Sequence, residues 1–393
     1  MIKYIGIGSN ELDTYLDYAV LSIVAIYMFN ATPFQMGVLG ACFALPFLFS
    51  STLFGRLLDN AKIHHYRVML FFINAIVTPL FMLTGSIVGL YCIASIKTLS
   101  RCGLNISNVK LNTDDSESRR FFEIYGYLIN ASRIVIPIIG VYIYQNYGLW
   151  YAIGLSTLLN LVGLFASTEK NSRITSYSSD NNSHYKYSFW LELKKHRDLF
   201  YLVVGYTLAN LAFFMSNDML GLFFRALGQT ENSVGLIISL LGIGGACGTK
   251  FASVLNNHIK SVQILMVSML FNITAFMLFG FVTPQSASVL LFYFGIMLIG
   301  ASSGITFFAV RYGVRNIVGY ADVGKATGMI QMISSVVAIL MPMVGGIIAS
   351  ATSLIVTFRL TGLMLITTFI AVLLFFYNEQ SRSKCHEEPT ENE

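Results

Sequence analysis

The feature that most constrains this chain is a series of long apolar runs, separated by short polar connections, along most of its 393 residues. A run of about twenty apolar residues can cross a hydrocarbon core of about 30 Å as an α-helix. Because backbone groups in lipid have to be satisfied internally, helices are the structure that such runs favour. We count twelve predicted spans, at 11–30, 36–56, 67–87, 88–108, 122–144, 148–166, 199–223, 233–255, 261–282, 288–310, 326–349 and 354–377.

The composition supports an all-α membrane protein and disfavours a soluble enzyme or a nucleic-acid-binding protein. Hydrophobic residues make up 55% of the chain and charged residues 11%, whereas roughly 25% of a soluble domain is charged. The sequence contains no nucleotide-binding loop or hydrolase motif, and its cysteines do not follow a metal-ligand spacing. We therefore expect no enzymatic activity, no cofactor, no metal and no nucleic-acid partner.

The basic residues indicate how the chain is oriented in the membrane. If both termini are cytoplasmic, 19 of the 25 Lys and Arg residues lie on the cytoplasmic side by our count. An excess of Lys and Arg in cytoplasmic connections is typical of membrane proteins. The sequence thus predicts a multi-pass protein of the inner cell membrane with both termini inside.

The chain is predicted to divide into two six-helix bundles, at 1–166 and 199–377. The polar segment 167–198 is rich in Ser, Asn and basic residues, which is typical of a cytoplasmic linker. Residues 378–393 are polar and are predicted to form a disordered cytoplasmic tail.

The two halves also repeat in sequence, which favours a parallel 6+6 arrangement of helices around a central path. Prolines, glycines and charged residues recur at two fixed offsets. The matches include Pro137 with Pro342 and Gly140 with Gly345 at an offset of 205, and Gly37 with Gly235 at an offset of 198.

Two motifs carry a family resemblance. Between spans two and three, Gly55 and Asp59 are in register with a motif of the form GxLaDrxGrk, in which Lys62 replaces the second glycine. This stretch resembles the major facilitator superfamily of secondary transporters. Span five, with Pro137 and Gly140, is similar to the proline–glycine motif of the antiporters of that family. The resemblance implies a twelve-helix transporter of the drug, siderophore and antibiotic exporter branch.

Two groups of residues have both a functional and a structural interpretation. The first is a cytoplasmic gate in which Asp59 pairs with Arg119 or Arg120 beside Gly55 and Lys62; alternatively, these residues form a solvated loop. The second is a pair of hinges formed by Pro137, Gly140, Pro342 and Gly345; alternatively, the prolines form static kinks.

Charged residues inside the spans are candidates for binding protons or substrate, because a charge at mid-bilayer costs about 2.5–3.5 kcal/mol on insertion scales. Asp13 with Asp17, and Lys97 with Arg101, are each spaced i,i+4 and so share one helix face. The candidates are Asp13 and Asp17 in span one, Lys97 and Arg101 in span four, Arg133 in span five and Asp218 in span seven. Asp17 either exchanges a proton or forms a permanent ion pair with Arg101.

The favoured function is export of a small amphipathic compound (a drug, siderophore or peptide antibiotic) in exchange for protons, by alternating access in a monomer. Such efflux would confer antibiotic resistance. Two alternatives stay open. One is a proton symporter that imports a sugar, nucleoside or peptide, and the other is a membrane sensor or assembly factor that does not transport.

The predicted topology can be tested with reporter fusions. Fusions after residue 180 and at the carboxy terminus should report a cytoplasmic location, because the flanking segments are basic. A fusion near Gln285 should report the periplasm. The opposite signs at all three positions would contradict the orientation.

Overall fold

A computed structural model of the chain describes residues 2–60, 63–81, 85–110, 115–168, 189–282, 288–318 and 323–387. The described residues are almost entirely helical. The α-helices are α1 (Ile2–Ile23), α2 (Pro33–Asn60), α3 (Ile63–Leu80), α4 (Ile87–Lys110), α5 (Asp115–Tyr147), α6 (Leu149–Thr168), α7 (Phe189–Lys195), α8 (Arg197–Ser216), α9 (Leu220–Ala226), α10 (Asn232–Leu255), α11 (Ser261–Phe281), α12 (Val289–Val318), α13 (Val323–Ala351) and α14 (Leu354–Glu387).

Two short irregular helices interrupt this pattern. A π-helical turn, Val24–Met28, continues α1, and a 3-10 turn, Asn217–Met219, joins α8 to α9. When α8 and α9 are taken as one span and the seven-residue α7 is set aside, the described residues contain twelve long helical segments. The predicted all-α class is confirmed, and the number of long helical segments agrees with the twelve predicted spans.

Several helices extend beyond the predicted apolar spans. The first helix begins at Ile2 and not at 11, and α3 ends at Leu80, before the predicted end at 87. The expected disordered tail from 378 is corrected for residues 378–387, which continue α14 as helix to Glu387. An apolar run marks only the part of a helix that lipid can cover. Polar residues with high helix propensity, such as Glu, Gln, Lys and Arg, can extend the helix beyond that run.

Nine of the described helices are long and apolar enough to cross a membrane by length and composition. Helix α1 is not one of these nine, in keeping with the three carboxylates that it carries, Glu11, Asp13 and Asp17. A span with three acidic residues depends on partners from other helices.

The chain separates into two compact units. The first contains α1–α6 together with Asn217–Gly242 and Ala338–Leu354, and the second contains Lys186–Ser216, Ile243–Val337 and Ile355–Glu393. The sequence predicted two bundles, 1–166 and 199–377, from the internal repeat, whereas these units are defined by which residues contact one another. The predicted bundle limits therefore stay a prediction.

The first unit is built around α1, which packs against α4, α5 and α6, while α3 packs against α6 and α2 against α4. Its apolar core is continuous along the second half of α1, where Leu16, Ile23 and Ile26 are almost completely buried. The carboxylates of Asp13 and Asp17 on α1 contact side chains of α4 and α6 within the same unit.

In the second unit, close packing depends on small residues. The Cα atoms of Gly248 and Gly304 approach the backbone of the opposing helix so closely that an added Cβ would overlap the carbonyl oxygens of Ala301 and Gly245. Such contacts between α10 and α12 are typical of membrane helices, where small residues permit backbone approach.

Candidate functional site

A cluster of four charged side chains occupies the interior of the first unit. Asp13 accepts from Lys97 Nζ at 3.4 Å and from Arg101 Nη2 at 2.8 Å, and Asp17 Oδ2 lies 2.6 Å from Lys97 Nζ and also contacts Arg101. Lys97 donates to the Ser156 hydroxyl of α6 at 2.8 Å, and Ser156 in turn contacts both carboxylates. We call Asp13, Asp17, Lys97, Arg101 and Ser156 the charge cluster.

Burial makes the pairing within the charge cluster necessary. Its four charged side chains are between 1% and 8% exposed, so water contributes little to their solvation. Two carboxylates and two cations give the cluster no net formal charge. Removing one partner from a buried pair costs about 3–5 kcal/mol, because it leaves the other charge uncompensated.

The two carboxylates differ in their surroundings. Asp17 lines a cavity together with Lys97, Ser156, Thr78 of α3 and apolar residues of α1, α4 and α6, and Asp13 is not among its lining residues. Asp13 has a further backbone contact, since Arg101 Nη2 also donates to its carbonyl oxygen at 3.2 Å. Of the two carboxylates, only Asp17 therefore borders this cavity.

Sequence reasoning missed three polar residues around this cluster. Asn10 donates to Asn105 Oδ1 at 3.0 Å, and the Tyr125 hydroxyl contacts Glu11 Oε1 at 3.3 Å. The position of Asn10 was readable, because it is spaced i,i+3 from Asp13 on the same helix face. Glu11 carried the same signal as Asp13, a charge inside predicted span one, whereas for Ser156 the sequence held no such signal.

The structure places Asp218 away from the charge cluster, at the edge of a second cavity in the first unit. Asp218 lies in the 3-10 turn, where Asn217 Nδ2 donates to its Oδ1 at 3.2 Å. A cavity is lined by this pair and by residues of α1, the π-helical turn, α2, α9 and α10.

Arg133 is half-buried on α5 and forms no salt bridge with any other residue that the structure describes. Its Cγ would lie 3.2 Å from a Cβ added at Gly242, so the aliphatic part of the side chain packs against α10. Arg133 is thus not brought into the charge cluster.

The predicted hinge prolines take part in two related helix contacts. The backbone of Gly37 at the start of α2 abuts the carbonyl of Pro342, and a Cβ at Gly235 at the start of α10 would lie 3.0 Å from the carbonyl oxygen of Pro137. In the sequence repeat, Gly37 corresponds to Gly235 and Pro342 corresponds to Pro137. The two contacts are therefore equivalent, and each joins a glycine of one repeat to a proline of the other. All four residues belong to the first unit.

The other predicted hinge residues also lie in tight packing. A Cβ at Gly140 would overlap Leu16 of α1. Gly345 is buried, and its neighbour Gly346 would place a Cβ 2.7 Å from Phe34 Cα. These positions hold helices close together, and the role of hinge stays a prediction.

An arginine holds the end of α1 beside these contacts. Arg225 of α9 donates to the carbonyl of Ile26 in the π-helical turn and to Asn30 Oδ1, and its guanidinium lies 5.6 Å from the centroid of the Tyr27 ring. Tyr27 in turn donates to the carbonyl of Gln229 at 3.0 Å. We call this part of the first unit, with the two glycine–proline contacts, the α1–α2 end.

The predicted cytoplasmic gate is not tested by the structure. Lys62 lies outside the described residues, and the side chains of Gly55, Asp59, Arg119 and Arg120 fall in parts of α2 and α5 whose side chains are not described. Among the residues that are described, no group of His, Cys, Asp and Glu has the arrangement of a metal site.

The family model for the Major Facilitator Superfamily matches residues 11–318 and 203–391. The chain belongs to the Major Facilitator Superfamily. Among curated proteins, none matches this chain by sequence. Membership makes the chain a multi-pass membrane transporter, and this coarser part of the sequence interpretation is confirmed.

Solved structures of other transporters share the fold. A mutant of the nucleoside transporter NupG aligns with a TM-score of 0.77 and 12% identity over 96% of this chain and 100% of that one. A bacterial homologue of the human lysosomal transporter Spinster, inward-facing and unoccupied, aligns with a TM-score of 0.70 and 12% identity. The alignment covers 99% of this chain and 98% of that one. The human organic anion transporter MFSD10 aligns with a TM-score of 0.60 and 13% identity over 94% of this chain and 98% of that one. At such identities the likeness establishes the fold alone.

The glycine–proline contacts lead to a prediction about the α1–α2 end. In Gly37→Val the side chain would overlap the Pro342 carbonyl, so the helices have to separate. We expect a Val234→Cys probe, at a position 4% exposed, to react about tenfold faster with a thiol reagent, which corresponds to about 1.4 kcal/mol. The five native cysteines would be replaced beforehand.

The matched control is Gly154→Val, since a Cβ at Gly154 meets nothing within 4 Å. This variant should leave the labelling rate unchanged. Equal rates in the two glycine variants would show that the close approach does not keep this end closed.

Proposed function

We propose that this chain is a secondary transporter of the inner cell membrane that exports a small amphipathic compound in exchange for protons. Both termini lie in the cytoplasm, the chain acts as a monomer, and the α1–α2 end is the outer face. The observation that carries this proposal is the charge cluster, in which one carboxylate borders a cavity and the other has fixed partners.

The charge cluster has a pairing that permits protonation of one acid. Both cations touch both carboxylates, so when Asp17 takes up a proton, Asp13 can retain Lys97 and Arg101. The cluster then has one excess positive charge and different hydrogen-bond demands. This makes it a two-state element whose states differ in their preferred packing of α1 against α4.

Coupling follows if proton and substrate favour different states. A ligand with equal affinity for two conformations shifts neither. In the proposed cycle, protonation of Asp17 favours the conformation that is open to the outside, and substrate favours the deprotonated conformation. The Arg225 contacts and the glycine–proline contacts at the α1–α2 end have to separate in the outward-open state.

The substrate class is supported by the cavity at Asp218. Its other lining residues are mostly aliphatic or aromatic, with Ser22 and Asn217 as the uncharged polar exceptions. A sugar or nucleoside needs many hydrogen-bond partners, and an apolar wall leaves such groups unsatisfied. An amphipathic compound matches this lining better.

The direction of transport requires its own assay, because the charge cluster could serve import equally. Inverted membrane vesicles with an acidic interior should accumulate dyes from an amphipathic panel. Uptake into right-side-out vesicles with an inward proton gradient, and none in inverted ones, would favour the symporter. A sensor or assembly factor would accumulate no dye in either preparation.

The Asp17→Asn variant tests the coupling role. The amide retains the size and hydrogen-bonding capacity of the carboxyl group, and Asp13 still faces both cations. We expect insertion and a melting temperature close to wild type, but no accumulation of dye driven by the pH gradient. The matched control is Asp198→Asn, in an ion pair whose aspartate is 48% exposed, and it should transport normally.

The double variant Asp17→Asn, Arg101→Gln separates coupling from scaffolding. If Asp17 exchanges the proton, the double variant stays inactive. If the residues serve only as a structural ion pair, each single variant should lose about 3–5 kcal/mol of stability, and the double variant should regain both stability and transport. That second pattern would contradict the proposed coupling.

A further inference from the structure

The second cavity of the first unit contains a carboxylate that the proposed proton step does not use. Asp218 lies in the 3-10 turn between α8 and α9, and its Oδ2 sits against the backbone of Gly40 on α2. An added Cβ at Gly40 would overlap this oxygen. The glycine thus makes room for the carboxylate between helices.

The acid differs from those of the charge cluster in having no cation. Within the described part of the chain, no Lys, Arg or His lies within ion-pair distance of Asp218. Asn217 donates to Asp218 at 3.2 Å, which fixes the orientation of the amide, and Asn217 Oδ1 is buried without a hydrogen-bond partner. A buried acceptor of this kind is costly to leave unsatisfied.

Apart from Ser22, the remaining walls of the cavity are mostly aliphatic or aromatic. Tyr18 and Phe43 stack with ring centroids 4.7 Å apart, and both line the cavity with Ile26, Met36 and Val234. Aromatic faces attract cations as well as apolar groups. The cavity therefore combines a negative charge, a free amide acceptor and an aromatic wall.

We infer that the Asp218 cavity binds an organic ammonium ion with an apolar body, whose N–H groups donate to Asp218 and Asn217. This assignment rests on the proposed transport of an amphipathic compound and adds the charge of that compound. An ammonium group would supply both the missing countercharge and the missing donor. A neutral amphiphile would leave Asp218 without a countercharge.

Binding to the purified full-length protein in detergent tests this inference without a proton gradient. The probes are phenethylammonium and phenethyl alcohol, which share the apolar body and differ in charge. Titration calorimetry should give at least about tenfold tighter binding of the ammonium probe. Asp218→Asn should remove this preference and leave the binding of the alcohol unchanged.

Two further variants keep the result interpretable. Asp198→Asn, on the surface of α8, should bind both probes as wild type does. Asn217→Ala retains the charge of Asp218 and should weaken the ammonium probe by only a few-fold, so it tests the site even if Asp218→Asn does not fold.

Equal affinity of wild type for both probes, or an unchanged preference in Asp218→Asn, would overturn the inference. So would a thermal stabilisation by Na⁺ as large as that by the ammonium probe, since the site would then be one for an inorganic cation. Because Asp17-dependent dye accumulation is measured separately, it can persist when this inference fails. Loss of gradient-driven transport in the wild type, with ammonium binding retained, would instead contradict the proposed function.

Discussion

The mutual neutralisation of two acids and two bases in the bilayer is the interaction on which the rest of the structure depends. Helix α1 carries three carboxylates and does not qualify as a membrane span by composition. It can lie inside the first unit because Lys97 and Arg101 of α4 are level with Asp13 and Asp17 and form ion pairs with them. The position of α1 then determines where α5 and α6 pack, since both lie against it.

The α1–α2 end is held together by contacts that are individually weak. No large apolar interface is required there, because two glycines let helix backbones meet at Pro342 and Pro137. Close backbone contact supplies dispersion and weak Cα–H···O interactions, which are individually small. Arg225 adds hydrogen bonds to the irregular end of α1, where the π-helical turn leaves the Ile26 carbonyl accessible. Contacts of this strength suit a gate in an alternating-access transporter.

Much of the fold was predictable, because length and apolarity define membrane helices almost directly. The i,i+4 spacings of Asp13 with Asp17 and of Lys97 with Arg101 also indicated two charged faces. That those faces meet depends on how α1 and α4 are aligned in depth, which no local pattern specifies. Ser156 is one of several uncharged polar residues on α6, and the cavity at Asp218 forms where several helices meet, so neither had a signal in the sequence. The repeat predicted that Pro137 and Pro342 are equivalent. It did not predict that Pro137 contacts Gly235 or that Pro342 contacts Gly37.

The central claim is that Asp17 exchanges a proton inside the charge cluster while Asp13 stays ionised. Infrared difference spectroscopy on the purified protein measures this directly, because a protonated carboxyl group has a C=O stretch distinct from that of a carboxylate. The account predicts a protonated-carboxyl band that grows as the pH is lowered and is absent from Asp17→Asn. If the wild-type and Asp17→Asn spectra are identical at every pH at which the protein stays folded, the cluster is permanently ionised and the account is wrong.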